Sequence, residues 1–507
     1  MRGNIDSIGD MLRLTAEKHP ERTAIVFENG RITYGELNRS VNRLANALIG
    51  LGLRKGDRAA FLYLNSPEFV TAWFAVAKAG GVGVPLNFGL VARELSHQIA
   101  AAQTRALLHA PLFADRIAEI RKELETVRIH VCDGTGGSCD WDELLGRASA
   151  AEPVEAAGLY DPALILYTAG MTGIPKGALL THKNCLFNAF TCAIDYGLSG
   201  RDVLQIIPPL FHPATLNCML LPGIVLGATA VIHRRFDPAE MLSAVERERV
   251  TAIWGPATMW LQLLRYPGSG RFDRSSVRLI VSGAMPLTRE SRSELLALFP
   301  NAAMMDVYGV TEASPGATIL RPEEVLEKSA SIGRPLTLAD VRILDRKGVE
   351  TPPGQIGEIA IRGNLFERYD RMPGETEEAL HGGFFRTGDM GRRDADGFLY
   401  LVDRKADVIR TGGEEVFSRE VEEVIQANTK VLETAVIGVP DPVRGERVEA
   451  VVACREALAE DELIAWCRQN LADYKCPDRI HFVKEIPKTP AGKIVKADLR
   501  RRYGSEC

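Results

Sequence analysis

From Ile5 to Ala151 helix-length amphipathic stretches alternate with short apolar runs, and this alternation narrows the fold more than any other feature of the chain. Within Asn38–Leu48, Val41, Leu44, Ala45 and Leu48 fall at i, i+3, i+4 and i+7, and Gly50 and Gly52 close the segment. A strand candidate, Arg58–Leu64, follows at once. The same order returns at Met241–Arg249 followed by Ala252–Trp254, and at Arg289–Phe299 followed by Ala303–Val307. Helix then strand, repeated, predicts largely parallel sheets with covering helices, an α/β architecture.

From about Ile332 the texture changes to short strands punctuated by Gly and Pro: Val341–Leu344, Gly357–Ile361 and Gly397–Val402. This pattern predicts a small, antiparallel, barrel-like subdomain. The charged segment Asp403–Asp407 then precedes about a hundred residues with their own helices (Arg419–Asn428, Glu460–Asn470) and strands (Ala435–Val439, Val448–Cys454), a small α+β C-terminal domain. Several lobes are also what 507 residues require.

Hydrophobic residues make up 46% and charged ones 25%, as in soluble globular proteins. A net charge of −5 carries no global footprint for nucleic acid or an anionic membrane. The longest apolar stretch, Cys218–Ile232, is broken by Pro222, Gly223 and Gly227 and falls short of the ~20 residues a bilayer span needs, so it reads as buried core. Nine cysteines without a C-x-x-C argue against a disulfide framework and against zinc. The start of the chain has no apolar segment of the secretory kind, so a reducing cytoplasm is the expected location.

The strongest local feature is Leu164–Gly177, an apolar strand running into Thr168-Ala169-Gly170-Met171-Thr172-Gly173-Ile174-Pro175-Lys176-Gly177. Glycines let backbone N–H groups turn inward around an anion, threonine hydroxyls add donors, and Lys176 adds charge. On its glycines alone the loop is a plain turn. It is not a Walker A loop, which needs Gly before the lysine and Ser or Thr after it, where Pro175 and Gly177 stand. The full string resembles the Tyr-Thr-Ser-Gly-Thr-Thr-Gly-x-Pro-Lys-Gly signature of the adenylate-forming superfamily: acyl-CoA synthetases, peptide-synthetase adenylation domains and luciferases. Ala169 and Met171 replace its usual Ser and Thr, removing two hydroxyl donors.

Further strings of the same superfamily occur in order along nearly the whole chain. Upstream are Thr33-Tyr34-Gly35-Glu36-Leu37, Lys55-Gly56-Asp57 and Asn65-Ser66-Pro67-Glu68. Downstream are Pro209-Leu210-Phe211-His212, Ser282-Gly283-Ala284-Met285-Pro286, Tyr308-Gly309-Val310-Thr311-Glu312, Arg386-Thr387-Gly388-Asp389 and Asp403-Arg404-Lys405-Ala406-Asp407, then Gly412-Gly413-Glu414 and Pro487–Lys493. The resemblance implies an N-terminal AMP-binding domain over 1–402 holding ATP and acid, a hinge at 403–407, and a mobile C-terminal domain over 408–507.

An aromatic ring offers a face to adenine and a carboxylate is a hard ligand suited to Mg²⁺. Read alone, Tyr308 is a core aromatic and Glu312 a surface acid. By resemblance, Tyr308 stacks on the base, Asp306 meets its exocyclic amine, Thr311 faces phosphate and Glu312 holds the metal. Gly283, Ala284 and Met285 flank the base, Val307 and Gly309 line the same edge, and Asp389, otherwise a turn cap, takes the ribose hydroxyls with Arg404 beside it. Lys493 supplies charge to the transition state of adenylation. The implied reaction joins an acid to ATP with loss of pyrophosphate, then passes the acyl group from AMP to a thiol. After a domain rotation, Gly412, Gly413 and Glu414 line the pantetheine tunnel and Tyr474 meets the CoA nucleotide. Ala406 stands where the hinge usually has Lys or Asp, with Lys405 adjacent as a substitute.

Amino-acid-activating relatives carry Asp after the phenylalanine of Phe211-His212-Pro213, so amino acids are not expected. His212 reads as an aromatic gate or as a packed histidine. Acetate-specific relatives have a bulky residue where Gly309 stands, which implies a deeper acyl pocket here, formed with His212, Met219, Trp254 and Val310 and bordered by Met285 and Val307. No arginine in these strings would receive a second carboxylate. An aromatic, alicyclic or medium-chain monocarboxylic acid is the expected substrate, with ATP, Mg²⁺ and CoA. A separate carrier protein is the alternative thiol, and a non-catalytic acyl-AMP-binding protein is the alternative prompted by Ala169, Met171 and Ala406. Nucleic acid is not an expected partner, and monomer and homodimer are both left open.

Overall fold

The computed structural model describes residues 5–132, 139–154, 157–168, 175–488 and 494–504. The chain divides into two compact units, Met1–Val341 with Ile361–Phe385, and Arg342–Ala360 with Arg386–Cys507.

The first unit is built on two sheets. One has nine strands, and its centre is the parallel run Ala252–Pro256, Leu279–Gly283, Ala303–Gly309, in register Trp254 to Val281 to Met305 and Ser282 to Asp306. The helices that precede these strands start where local chemistry dictates. Asp237 accepts from Glu240 N at 2.9 Å ahead of Pro238–Glu248, and Thr288 accepts from Ser291 N at 3.2 Å ahead of Arg289–Leu298. The other sheet has eight strands, with Val82–Pro85, Arg58–Leu62, Ala106–His109 and Ile129–Cys132 parallel and Pro162–Thr168 antiparallel to Lys176–Thr181. Leu164 and Leu166 enter one apolar cluster and Ile165 another, so this sheet is covered on both faces.

Tyr34–Gly50 carries a capping box from Thr33 and Glu36 and buries Leu37, Val41, Leu44, Ala45 and Leu48, the predicted stripe. Fully burying one such leucine is worth about 1.5–3 kcal/mol. The apolar stretch from Cys218 is core as expected: Leu216–Leu220 is a π-helical turn, Leu221–Leu226 is α-helical, Gly227 stops it at φ 77°, and Thr229–Ile232 is a strand.

The Gly- and Pro-punctuated region forms a sheet of Ala339–Leu344, Gly357–Gly363, Phe384–Arg393 and Leu380–His381, with Leu399–Arg404 antiparallel on Phe384–Arg393. The unit boundary falls among these strands, and 403–407 lies inside the second unit. The remainder of that unit is a long hairpin, Val431–Asp441 with Gly445–Cys454, extended by parallel Arg479–Val483. Val436 and Val448 face the helix Ser418–Gln426 in one cluster, while Ala435, Ile437 and Val439 face Leu499 and Tyr503 of the helix Lys496–Tyr503 in another. Among the described residues no helix is long and apolar enough to cross a membrane. The side chains of seven cysteines are described, none in a disulfide: Cys132, Cys185, Cys192 and Cys218 are buried in the first unit, Cys467 and Cys476 in the second, and Cys454 is half-buried.

Candidate active site

The carboxyl end of Ala303–Gly309 gathers most of the residues expected at the nucleotide. Asp306 is buried and receives Arg292 Nη2 at 2.6 Å, while Arg292, itself 1% exposed, also donates Nη1 to Val325 O at 2.8 Å. Burial pushes the Asp306 carboxyl up to about 6 although Arg292 opposes the shift. Tyr308 is half-buried beside it and pairs with Thr318. Gly283 is in register with Val307, and a Cβ there would stand 2.9 Å from the Val307 carbonyl. Ala284 follows at φ 65°, left-handed and exposed, and Met285 is exposed as well.

The acidic end is built by residues far apart in sequence. Thr311–Ala313 forms a single turn that buries Glu312, whose carboxylate accepts from Tyr369 OH at 2.7 Å and whose carbonyl accepts from Phe366 N at 2.7 Å. Burial and the Glu312 charge both push the Tyr369 phenol up, so it stays a donor. Lys176 Nζ lies 5.2 Å from the Tyr369 ring centroid and pairs with Glu375. Thr168 pairs with Lys176 across the two stem strands; Ala169, Gly170, Met171, Thr172 and Gly173 lie outside the described residues. Among the described residues no three His, Cys, Asp or Glu side chains converge as a metal cluster. A single buried carboxylate can nonetheless hold Mg²⁺ when phosphate oxygens and water complete its shell, so Glu312 fits the expected metal.

The residues expected at the acyl group centre on His212 and Trp254. His212 Nδ1 accepts from Ala214 N at 3.3 Å at the head of the helical run that includes Met219, and its ring stacks on Trp254 at 6.4 Å and 26°. Trp254 and Met219 share one apolar cluster, against which Phe211, Val307 and Val310 pack. At Gly309 a Cβ would stand 1.9 Å from the Pro315 carbonyl oxygen, so backbone approaches the glycine closely there.

In the second unit Asp389 is buried and in register with Arg404, whose Nε is 3.6 Å from its Oδ1. Lys405 Nζ is already held, 3.2 Å from Glu358, which also takes Arg386. Gly412 and Gly413 form a two-residue turn at φ 59° and 90° between Ile409–Thr411 and Glu414–Val416, and the Asp473–Lys475 turn carrying exposed Tyr474 packs against the latter strand. Lys493 lies outside the described residues. Its flanks are fixed: Lys488 pairs with Ile494, Lys496 Nζ donates to Ser418 Oγ at 2.6 Å and meets Glu422 at 2.7 Å, Ser418 donates to Asp403, and Arg500 meets Asp407 at 2.5 Å.

Sequence reasoning missed Tyr369, Glu375 and Arg292. Glu312 and Tyr369 are 57 positions apart and Lys176 and Glu375 are 199 apart, so no local pattern announces either pair.

Two family descriptions match the chain: AMP-binding enzyme over residues 12–369, and AMP-binding enzyme C-terminal domain over 420–493. A feruloyl-CoA synthase of an Amycolatopsis species is 38% identical over 492 residues, covering 96% of this chain and 97% of its own length. A long-chain-fatty-acid–CoA ligase of Mycobacterium tuberculosis is 35% identical over 510 residues, covering 98% and 99%. Among solved structures, ATP-bound MatB of Rhodopseudomonas palustris superposes with a TM-score of 0.89 at 31% identity, covering 99% of each chain.

Proposed function

Because this chain belongs to the AMP-binding enzyme family, we propose that it joins a carboxylic acid to coenzyme A at the expense of ATP, as an AMP-forming acid–thiol ligase. The observation that carries this reading is the near-complete coverage of two relatives that are both acid–CoA ligases. The acid carboxylate attacks the α-phosphorus of ATP, pyrophosphate leaves, and the CoA thiol then displaces AMP to give the thioester.

Each residue has a task that its surroundings support. Asp306, ionised at neutral pH with Arg292 behind it, accepts from the adenine amine, and Tyr308 presents its ring to the base. Asp389 takes the ribose hydroxyls, with Arg404 at its side. Lys176 and Thr311 attend the phosphates, Glu312 holds Mg²⁺, and the metal supplies charge neutralisation between the phosphoryl oxygens when bound. Lys493 stabilises the negative charge that gathers during adenylation. Gly412, Gly413 and Glu414, with Tyr474, receive the CoA arm, and 403–407 is the hinge between the two half-reactions. His212 and Trp254 border the acyl group, an aromatic, alicyclic or medium-chain monocarboxylate. That none of the seven cysteines whose side chains are described forms a disulfide suits a cytoplasmic setting.

The test is incubation with ATP, Mg²⁺, CoA and a panel of acids, following AMP and acyl-CoA. Failure of every acid to yield both products sinks the reading. Lys493→Ala is expected to abolish acyl-AMP formation while a supplied acyl-AMP still reaches CoA.

A further inference from the structure

Lys176, assigned to the phosphates, already has a partner. Its ammonium pairs with Glu375 and lies 5.2 Å from the Tyr369 ring centroid, and among the described residues no other acid pairs with it. A fold-back of the chain within the first unit makes the pair. Arg368–Tyr369 runs antiparallel to Lys176–Thr181 with Tyr369 opposite Ala178, and Asp370 N donates to Gly177 O at 2.7 Å. Arg371 then takes a left-handed φ of 59°. Thr376 Oγ1 accepts from Tyr369 N at 3.0 Å and donates to Met372 O at 2.8 Å, so the helix Pro373–Ala379 returns Glu375 to the start of the lysine strand. Arg58, 3.2 Å from Asp370, ties the same segment to the sheet.

The two members of the pair are unequally held. The Lys176 side chain is 15% exposed and that of Glu375 is 37% exposed. An ammonium so enclosed needs a counter-charge at all times, whereas the carboxylate can turn to water. An ion pair with one wet member is weak and readily exchanged, and a phosphate chain with several charged oxygens is the stronger partner. We propose that Glu375 is a positioning residue that competes with phosphate for Lys176. It holds the ammonium while the site is empty, yields it to the triphosphate, and recaptures it as pyrophosphate leaves, so that this product is bound less tightly than the lysine alone would bind it. The inference deepens the ligase reading and rests on it. The place to which the lysine returns is built into the site, because the Tyr369 hydroxyl donates to Glu312 Oε1 at 2.7 Å while its ring faces the ammonium.

Competition and support differ in sign, and calorimetric titration of the full chain with magnesium pyrophosphate reads that sign. Glu375→Gln is expected to bind pyrophosphate about threefold or more tighter than the unaltered protein, and Glu375→Ala to do the same. Pyrophosphate should become a correspondingly stronger product inhibitor of acid-dependent AMP formation. In a Lys176→Met background, where no ammonium is left to compete for, Glu375→Gln should change the Kd by less than about 1.5-fold. Unchanged or weaker binding in the Glu375 variants overturns the proposal, because the carboxylate then supports the lysine or the helix alone; general damage to the fold cannot tighten binding. An equal gain in the Lys176→Met background overturns it too, since plain repulsion between Glu375 and the anion would then be the cause. An active ligase whose pyrophosphate affinity ignores Glu375 loses only this inference, whereas absence of any acid-dependent AMP formation removes the ligase reading with it.

Discussion

In the role proposed for Asp306, nucleotide binding depends on pH in a direction its burial dictates. With its carboxyl pushed up to about 6, it accepts from an amine at pH 7.5 but is largely protonated at pH 5.5. The apparent KM for ATP in pyrophosphate exchange is therefore expected to rise several-fold across that interval, and Asp306→Asn, which cannot titrate, should flatten the dependence. Glu312 and Tyr369 provide a second prediction. Removing the hydroxyl in Tyr369→Phe takes away the donor at 2.7 Å that orients the carboxylate. The Mg²⁺ concentration for half-maximal exchange should then rise about tenfold or more, with little change in the KM for the acid. Asp306 and Glu312 could be read from one short string because they are carried by a strand and the turn that ends it. Tyr369 could not, because it reaches Glu312 only once its strand pairs with Lys176–Thr181, and Arg292 could not, because it reaches Asp306, 14 positions on, only once its helix packs on the strand of Asp306. At Gly309 the glycine itself was visible, but the Pro315 carbonyl that its missing Cβ would meet is placed there only by the folded backbone.

The elements themselves were more legible than their partners. The stripe of Tyr34–Gly50 and the stops at Gly50 and Gly52 follow from side chains within a few residues of one another, so periodicity and caps suffice. The helix Lys496–Tyr503, in contrast, owes its position to contacts with Ser418, Glu422 and Asp407, between 78 and 93 positions away in two of the three cases. These contacts anchor the helix that begins three residues past Lys493. Lys496→Met would leave the Glu422 carboxyl, already pushed up by burial, without its counter-charge. Adenylation is expected to fall by about tenfold or more, and transfer of supplied acyl-AMP to CoA should fall far less, because the anchor lost lies three residues past Lys493, the residue proposed to act in adenylation. Equal loss in the two half-reactions would show that the helix serves stability alone.

At the scale of the whole molecule, buried histidines set the acid limit. His130, His182 and His233 are held near 4 by burial, and burial lowers His109 as well, its Nε2 sitting 2.8 Å from that of His130. Each is neutral in the folded chain and protonates near 6.5 once unfolded, so their contribution is full above that value and is lost as pH falls toward 4. The slope is at most about 1.4 kcal/mol per pH unit from each histidine. Below about 4, Asp202, Glu152 and Glu358, whose carboxyls are held low by Arg278, by Lys78 and by Arg386 against the effect of burial, add a loss of the same sign. Denaturant unfolding at pH 7.5, 6, 5 and 4 should show stability declining through the whole series; a flat profile from 6.5 to 4.5 would contradict the histidine assignment. The division into two units was only partly visible in the chain, because composition marks the charged run at 403–407 while strand pairing draws the boundary through the preceding sheet. The unpaired thiols turn that division into something that can be timed. Cys185, pushed up to about 12 by burial, and Cys192 are sealed in the first unit, and Cys467, pushed up to about 11, in the second, so alkylation at each waits for its own region to open. Labelling rates read cysteine by cysteine thus provide two clocks in one chain, and a ligand that steadies only one unit should slow only one of them.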